Sequence, residues 1–231
     1  MSYKLYRKVI LCAFIISSSS MEIKAQDSIY FRANQWKEQI EAYYKADKKS
    51  FPEPGSILFV GSSTIKMWNN IESYFPNHRV LNRAFGGAWI SDELYHIQRL
   101  VFDYKPKQIV LYAGVNDLSS GISPQRVLDD IKCFVRMVDI NLPGVPVIIL
   151  SFRTTPATSK LANVHRLLNL QLQEYYLNSK QVVVLDISSM VYDNMGNLRE
   201  DLFRKDRLHV TDEVYRMMAN KLEPLLIHNK N

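Results

Sequence analysis

Residues 57–64 read Ile57-Leu58-Phe59-Val60-Gly61-Ser62-Ser63-Thr64. Four apolar residues in a row, with no polar alternation, describe a strand buried on both faces. The glycine and hydroxyl residues after them describe a turn into a short helix carrying Ile65, Met67 and Trp68. Four similar runs follow: Val80-Leu81, Ile109-Val110-Leu111-Tyr112, Val147-Ile148-Ile149-Leu150 and Val182-Val183-Val184-Leu185. Five strands of this kind form a parallel sheet covered by helices on both sides.

The segments between the runs supply those helices. They span Ser91–Phe102, Pro124–Ile140, Lys160–Leu177 and, at the end, Asp212–Ile227. In the third, Leu161, Val164, Leu167, Leu168 and Leu172 make a stripe close to the helical period. Successive strand starts lie 23, 29, 38 and 35 residues apart, spacings that suit β-α-β crossovers of ~30 residues. The expected fold is a three-layer α/β/α sandwich. A further helix, polar and spotted with aromatics, is expected from Tyr30 to Asp47, before Pro52, Pro54 and Gly55 interrupt the chain. No repeat or low-complexity tract follows Gly55, so residues 55–231 read as one domain, with 26–54 a helical segment packed on it.

The first 25 residues have a different character. Lys4, Arg7 and Lys8 precede the apolar run Val9–Ile16, and a serine tract leads to Ala25 before Gln26. A basic start, a short apolar centre and a small residue at the cleavage position describe a secretory signal peptide; a buried N-terminal helix is the alternative. Export to the periplasm or the exterior is the expectation. Cys12 lacks the small residues before it that a lipoprotein site needs.

The whole chain of 231 residues carries a formal charge of +6, with 47% hydrophobic and 23% charged residues. Without Lys4, Arg7, Lys8, Lys24 and Glu22 the charge falls to +3. Most of the basicity therefore belongs to the leader, and no nucleic-acid-binding motif accompanies the rest. No stretch reaches the ~18 apolar residues of a spanning helix, so stable membrane insertion is not expected. Cys133 is the one cysteine beyond the leader; among Ile131, Phe134 and Val135 it reads as a small buried hydrophobe. Oligomeric state is not legible.

In an open parallel sheet, ligands gather beyond the carboxyl ends of the strands. Gly61, Gly86, Gly87 and Gly114 fall at such ends, each beside polar residues. Ser62, Ser63 and Thr64 either cap a helix or offer a nucleophile. Asn82-Arg83-Ala84-Phe85-Gly86-Gly87 and Tyr112-Ala113-Gly114-Val115-Asn116-Asp117 are either ordinary turns or sources of oxyanion donors, through the Gly87 N–H and the Asn116 amide. Asp206-Arg207-Leu208-His209 places a carboxylate three residues before an imidazole. On a turn the two can face one way, the aspartate holding Nδ1–H while Nε2 serves as base to a serine. The other reading is a helix-start salt bridge and a core-edge histidine. His78, His96, His165 and His228 lack such a neighbour.

In this order the four blocks resemble the GDSL-type SGNH hydrolases, a family of esterases and lipases. The resemblance spans roughly Gly55 to Leu226. Residues 55–63 resemble most a branch of bacterial relatives of platelet-activating-factor acetylhydrolase. It implies a flavodoxin-like sheet of order 2-1-3-4-5 and a signature of Ser63, Gly87, Asn116 and His209, with Asp206 completing a triad. Ser62 stands where the name-giving aspartate of the motif sits, and register with the family selects Ser63 as nucleophile over Ser62. The implied chemistry is acyl transfer through an acyl-enzyme, with Ser63 N–H, Gly87 N–H and Asn116 Nδ2 around the oxyanion. Ser62, Asp117 and Trp89 are supporting or substrate-lining candidates, as are Trp68 and Tyr112, Trp68 being equally a core residue. No metal or cofactor is implied: HExxH, paired Cys/His, P-loop and GxGxxG patterns are all missing. The expected substrate is a small-molecule or carbohydrate ester, acetyl for preference. A lysophospholipase or thioesterase, or a catalytically silent carbohydrate-binding module on the same fold, are the alternatives.

Overall fold

The computed structural model describes residues 35–228. The leader, and the start of the helix expected from Tyr30, lie outside the described residues. Five parallel strands form one sheet: β1 (Ile57–Gly61), β2 (Val80–Asn82), β3 (Gln108–Tyr112), β4 (Val147–Leu150) and β5 (Val182–Leu185). Their order is β2-β1-β3-β4-β5, so the chain reverses its direction of travel between β1 and β3. There the loops after both strands part, and the crevice opens.

Every residue of β1, β3 and β4 is buried. A fully buried Val, Leu, Ile or Phe contributes roughly 1.5–3 kcal/mol, and these central strands form the middle of the core. The edge strands differ. In β5, Val183 is 46% exposed and Val184 and Leu185 are only partly covered. A continuous apolar run implies two covered faces only where neighbours exist on both sides, and among the described residues β5 pairs with β4 alone.

The helices are α1 (Lys37–Lys49), α2 (Ser63–Lys66), α3 (Ile71–Tyr74), α4 (Ile90–Leu100), α5 (Val115–Ser119), α6 (Pro124–Asn141), α7 (Ala162–Tyr176) and α8 (Asp212–Leu222). α4, α6 and α7 pack in sequence on one face. On the other, Tyr215 of α8 stacks on Trp68, which follows α2 and is buried against Phe59 and Phe75. Trp68 is thus core and not a substrate wall. α8 stops at Leu222, short of the expected Ile227, and passes into a 3-10 turn over Glu223–Leu225. Pro224 has no N–H to continue the α-helical ladder. α3 and α5 are too short to have left a periodic signal, and Cys133 is half-buried where full burial was expected.

α1 lies against the loop after β2 and against α4. A buried trio ties it there: Arg83 Nη2 donates to Asp47 Oδ1 at 2.6 Å, and Arg83 Nε to the Tyr104 hydroxyl at 2.8 Å. Tyr104 in turn donates to Asp47 Oδ2. Among the described residues no helix is long and apolar enough to cross a membrane.

Candidate active site

The turn after β1 depends on Gly61. Its φ is +128°, and a Cβ there would sit 2.0 Å from the Tyr112 carbonyl oxygen. Only glycine lets β1 and β3 end this close, and Ser62 N–H then donates to that same oxygen at 2.9 Å. Ser62 is buried, and Ser63 starts α2 with its side chain directed across the rim. The Tyr215 hydroxyl of α8 donates to the Thr64 carbonyl at 2.9 Å, pinning the serine turn to the C-terminal helix.

The same helix is entered through the loop that holds Asp206 and His209. An antiparallel bridge between Phe203 and Val210 closes this loop, and Arg204 N–H donates to the His209 carbonyl at 2.7 Å. Arg207 takes a left-handed φ of +61° at the tip. Asp206 Oδ1 accepts from the N–H groups of Leu208 and His209, both at 2.9 Å, so the carboxylate fastens its own turn. Its Oδ2 accepts from His209 Nδ1 at 2.7 Å. His209 Nε2 accepts from the Ser63 hydroxyl at 2.9 Å. The imidazole and backbone hydrogen bonds hold the Asp206 carboxyl down at about 2, and it stays an anion at any working pH.

Asn116 lies on α5, one turn beyond the end of β3. Its Nδ2 donates to the Ala88 carbonyl at 3.0 Å and keeps a second hydrogen. This bond brings the loop after β2 alongside the loop after β3. Asp117 Oδ1 accepts from Ile90 N–H at 3.1 Å and joins the same two loops from behind. Burial pushes its carboxyl up to about 7. Glu93, also buried, is pushed well above the carboxylate range by burial and by Asp92 beside it.

Ser62, Ser63, Thr64, Tyr112, Val115, Asn116, Arg153, Thr155, Leu208 and His209 line one small cleft. Its volume is about 20 Å³, where a single water needs ~10–15 Å³. Gly87 and Trp89 stand outside this lining, in the loop that Asn116 reaches. Trp89 is the residue before α4, and its N–H donates to Asp92 Oδ2 at 2.9 Å.

Two groups of residues here escaped sequence reading. From α1 and the residue before it, Trp36 Nε1 donates to Asp92 Oδ2 at 3.0 Å, Gln39 Oε1 accepts from Gly86 N–H at 3.3 Å, and the Tyr43 hydroxyl donates to the Ala84 carbonyl at 2.5 Å. The helix thereby grips the whole loop from Ala84 to Asp92. The other is Arg153, 1% exposed, just beyond β4. Its position after a strand end was the one available signal. Among the described residues no cluster of His, Cys, Asp and Glu forms a metal site.

Residues 61–217 match the model of the GDSL-like lipase/acylhydrolase family. The chain belongs to this family. As a GDSL-like acylhydrolase it is a carboxylic ester hydrolase. Solved structures agree on the fold. A Streptococcus pneumoniae protein assigned as a platelet activating factor protein aligns with TM-score 0.72 at 20% identity, over 91% of this chain and 100% of that one. An assigned acylhydrolase of Bacteroides fragilis aligns with TM-score 0.68 at 23% identity, over 79% and 93%. A mutant acetyl-xylooligosaccharide esterase from Geobacillus aligns with TM-score 0.61 at 12% identity, over 78% and 99%. Among curated proteins none matches the chain.

Proposed function

We propose that this GDSL-like hydrolase is an exported serine esterase that removes short acyl groups, acetyl for preference, from a small-molecule or carbohydrate ester. The observation that carries the reading is the continuous chain Ser63 Oγ–His209–Asp206, with links of 2.9 and 2.7 Å at the edge of a cleft. His209 Nε2 takes the hydroxyl proton as Ser63 attacks the ester carbonyl. Asp206 fixes the tautomer and stabilises the imidazolium. The oxyanion is received by Ser63 N–H, Gly87 N–H and the second Asn116 Nδ2 hydrogen. His209 returns the proton to the departing alcohol, then activates the water that cleaves the acyl-enzyme.

The acetyl preference draws on the shared fold with the acetyl-xylooligosaccharide esterase. Export rests on residues 1–25.

The test is a series of 4-nitrophenyl esters from acetyl to palmitoyl, with a fluorophosphonate label mapped by mass spectrometry. Fastest turnover on acetyl and an adduct on Ser63, both abolished in Ser63→Ala, support the proposal. Palmitoyl turned over as fast as acetyl would favour the lysophospholipase or thioesterase reading. An unlabelled, inactive chain would leave a binding module.

A further inference from the structure

Arg153 is among the largest fully buried side chains of the protein, and it lines the cleft beside Ser63. Its guanidinium carries a permanent charge. A buried charge is ordinarily paired with an opposite one, yet among the described residues no carboxylate pairs with Arg153. Nε and Nη1 have no hydrogen-bond partner. Nη2 has only the neutral Thr64 hydroxyl, at a long 3.4 Å. The rings of Tyr112 and Phe203 face the cation with centroids 5.6 and 6.0 Å from Cζ; they attract it without neutralising it. The nearby His165 is held neutral, its pKa pushed down to about 4 by burial and by Arg153. The positive field in the cleft wall is therefore left uncompensated by the described residues.

An apolar side chain of similar length would fill this space without the desolvation penalty. A fork of five N–H donors is the group that suits a carboxylate or phosphate. We propose that Arg153 receives an anionic oxygen group carried by the substrate close to its ester, so that the preferred substrate is an acidic ester such as an acetylated uronic acid or an acetylated sugar phosphate. This rests on the esterase reading and narrows it.

The test uses three monoacetylated methyl glycosides of the glucose series that differ only at C6: a free hydroxyl (methyl glucoside), a carboxylate (methyl glucuronide) and a phosphate ester (methyl glucoside 6-phosphate). For the natural protein, kcat/KM on one charged member is expected to exceed that on the neutral one at least tenfold, and which member leads separates carboxylate from phosphate. In Arg153→Met that ratio is expected to fall to near one, and in Arg153→Lys to an intermediate value. No preference in the natural protein, or an equal loss on all three substrates in Arg153→Met, would overturn the proposal and leave Arg153 a packing residue.

If the methionine variant does not fold, the natural protein still decides. Non-acetylated methyl glucuronide or methyl glucoside 6-phosphate should compete with 4-nitrophenyl acetate more strongly than methyl glucoside does, and equal competition overturns the idea. If 4-nitrophenyl acetate is not hydrolysed at all, the esterase reading fails instead. Calorimetric binding of the same three non-acetylated glycosides then reads Arg153 by itself, and equal affinities reject it.

Discussion

The indole of Trp36 closes on Gly87 so tightly that a Cβ at the glycine would stand 2.7 Å from the Trp36 Cη2. Gly87 also holds φ at +77°, a backbone conformation costly to residues with a side chain. The helix that precedes the sheet thus sets the position of the loop on which the proposed oxyanion donor sits.

Trp36→Ala removes both this contact and the bond to Asp92. The expected result is a fall in kcat of about tenfold with little change in KM, since loss of one oxyanion donor outright costs ~10²–10³. Gly87→Ala should lose more, and Trp36→Ala in the same chain should not restore it, because the positive φ remains. Recovery in the double variant would show that crowding alone was at fault. Steady-state kinetics on 4-nitrophenyl acetate reads all three.

Asp206 is bonded to His209 on one side and open to water on the other, with its side chain 48% exposed. Asp206→Asn abolishes the anion and favours the wrong imidazole tautomer, a change worth ~10⁴ in kcat where the aspartate is buried. Water screens this one, so a loss of roughly 10²–10⁴ is expected. With its pKa at about 2, Asp206 is ionised throughout pH 4–9. An acid-side fall of activity inside that range must come from another group, and a pH–rate profile of the natural protein tests this: an acid limb of slope one down to pH 4 agrees, and a slope of two would place the Asp206 titration inside the range.

The central sheet was legible because β1, β3 and β4 are covered on both faces, and that leaves an unbroken apolar run in the sequence. Val183 belongs to a run of the same appearance and is exposed, since a string of residues does not say which strand is at the edge. The pair Asp206 and His209 was legible from local spacing. Its meeting with Ser63, 146 residues away, required the family pattern. Arg153 was legible only as a residue after a strand end: in Ser151-Phe152-Arg153-Thr154-Thr155 it looks like any loop cation, and burial without a counter-charge exists only in three dimensions. Trp36 and Gln39 were seen as part of a helix, but its target was not.

Asp47 and Arg83 are both under a tenth exposed and joined at 2.6 Å. Removing one partner of such a pair leaves the other charge buried, at a cost of about 3–5 kcal/mol. Asp47→Ala is therefore expected to lower the melting temperature by roughly 6–20 °C, at ~2–4 °C per kcal/mol for a chain of this size. Replacing Arg83 by Met in the same chain should return much of it. Calorimetry of the two variants decides, and a double variant no better than the single one would mean that the Tyr104 bonds, not the charge, hold α1.

Asp117 gives the protein a stability that depends on pH in a defined window. Its carboxyl ionises at about 7 when folded, against 3.8 as the ordinary value, because burial penalises the charge. Between those values the folded chain binds a proton that the unfolded chain has released. Stability from this group is therefore complete below pH 4, falls as pH rises to 7, and is flat above. At ~1.4 kcal/mol per pKa unit the loss is at most about 4 kcal/mol. Asp117→Asn cannot ionise and keeps an oxygen for the Ile90 N–H. Its melting temperature should exceed that of the natural protein at pH 8, with the gap closing toward pH 4. Glu93 and Asp130, whose carboxyls burial also raises, should leave a residual slope in the variant. A gap that stays constant from pH 4 to pH 8 would mean that Asp117 is already ionised in the folded protein, with its charge compensated between the two loops.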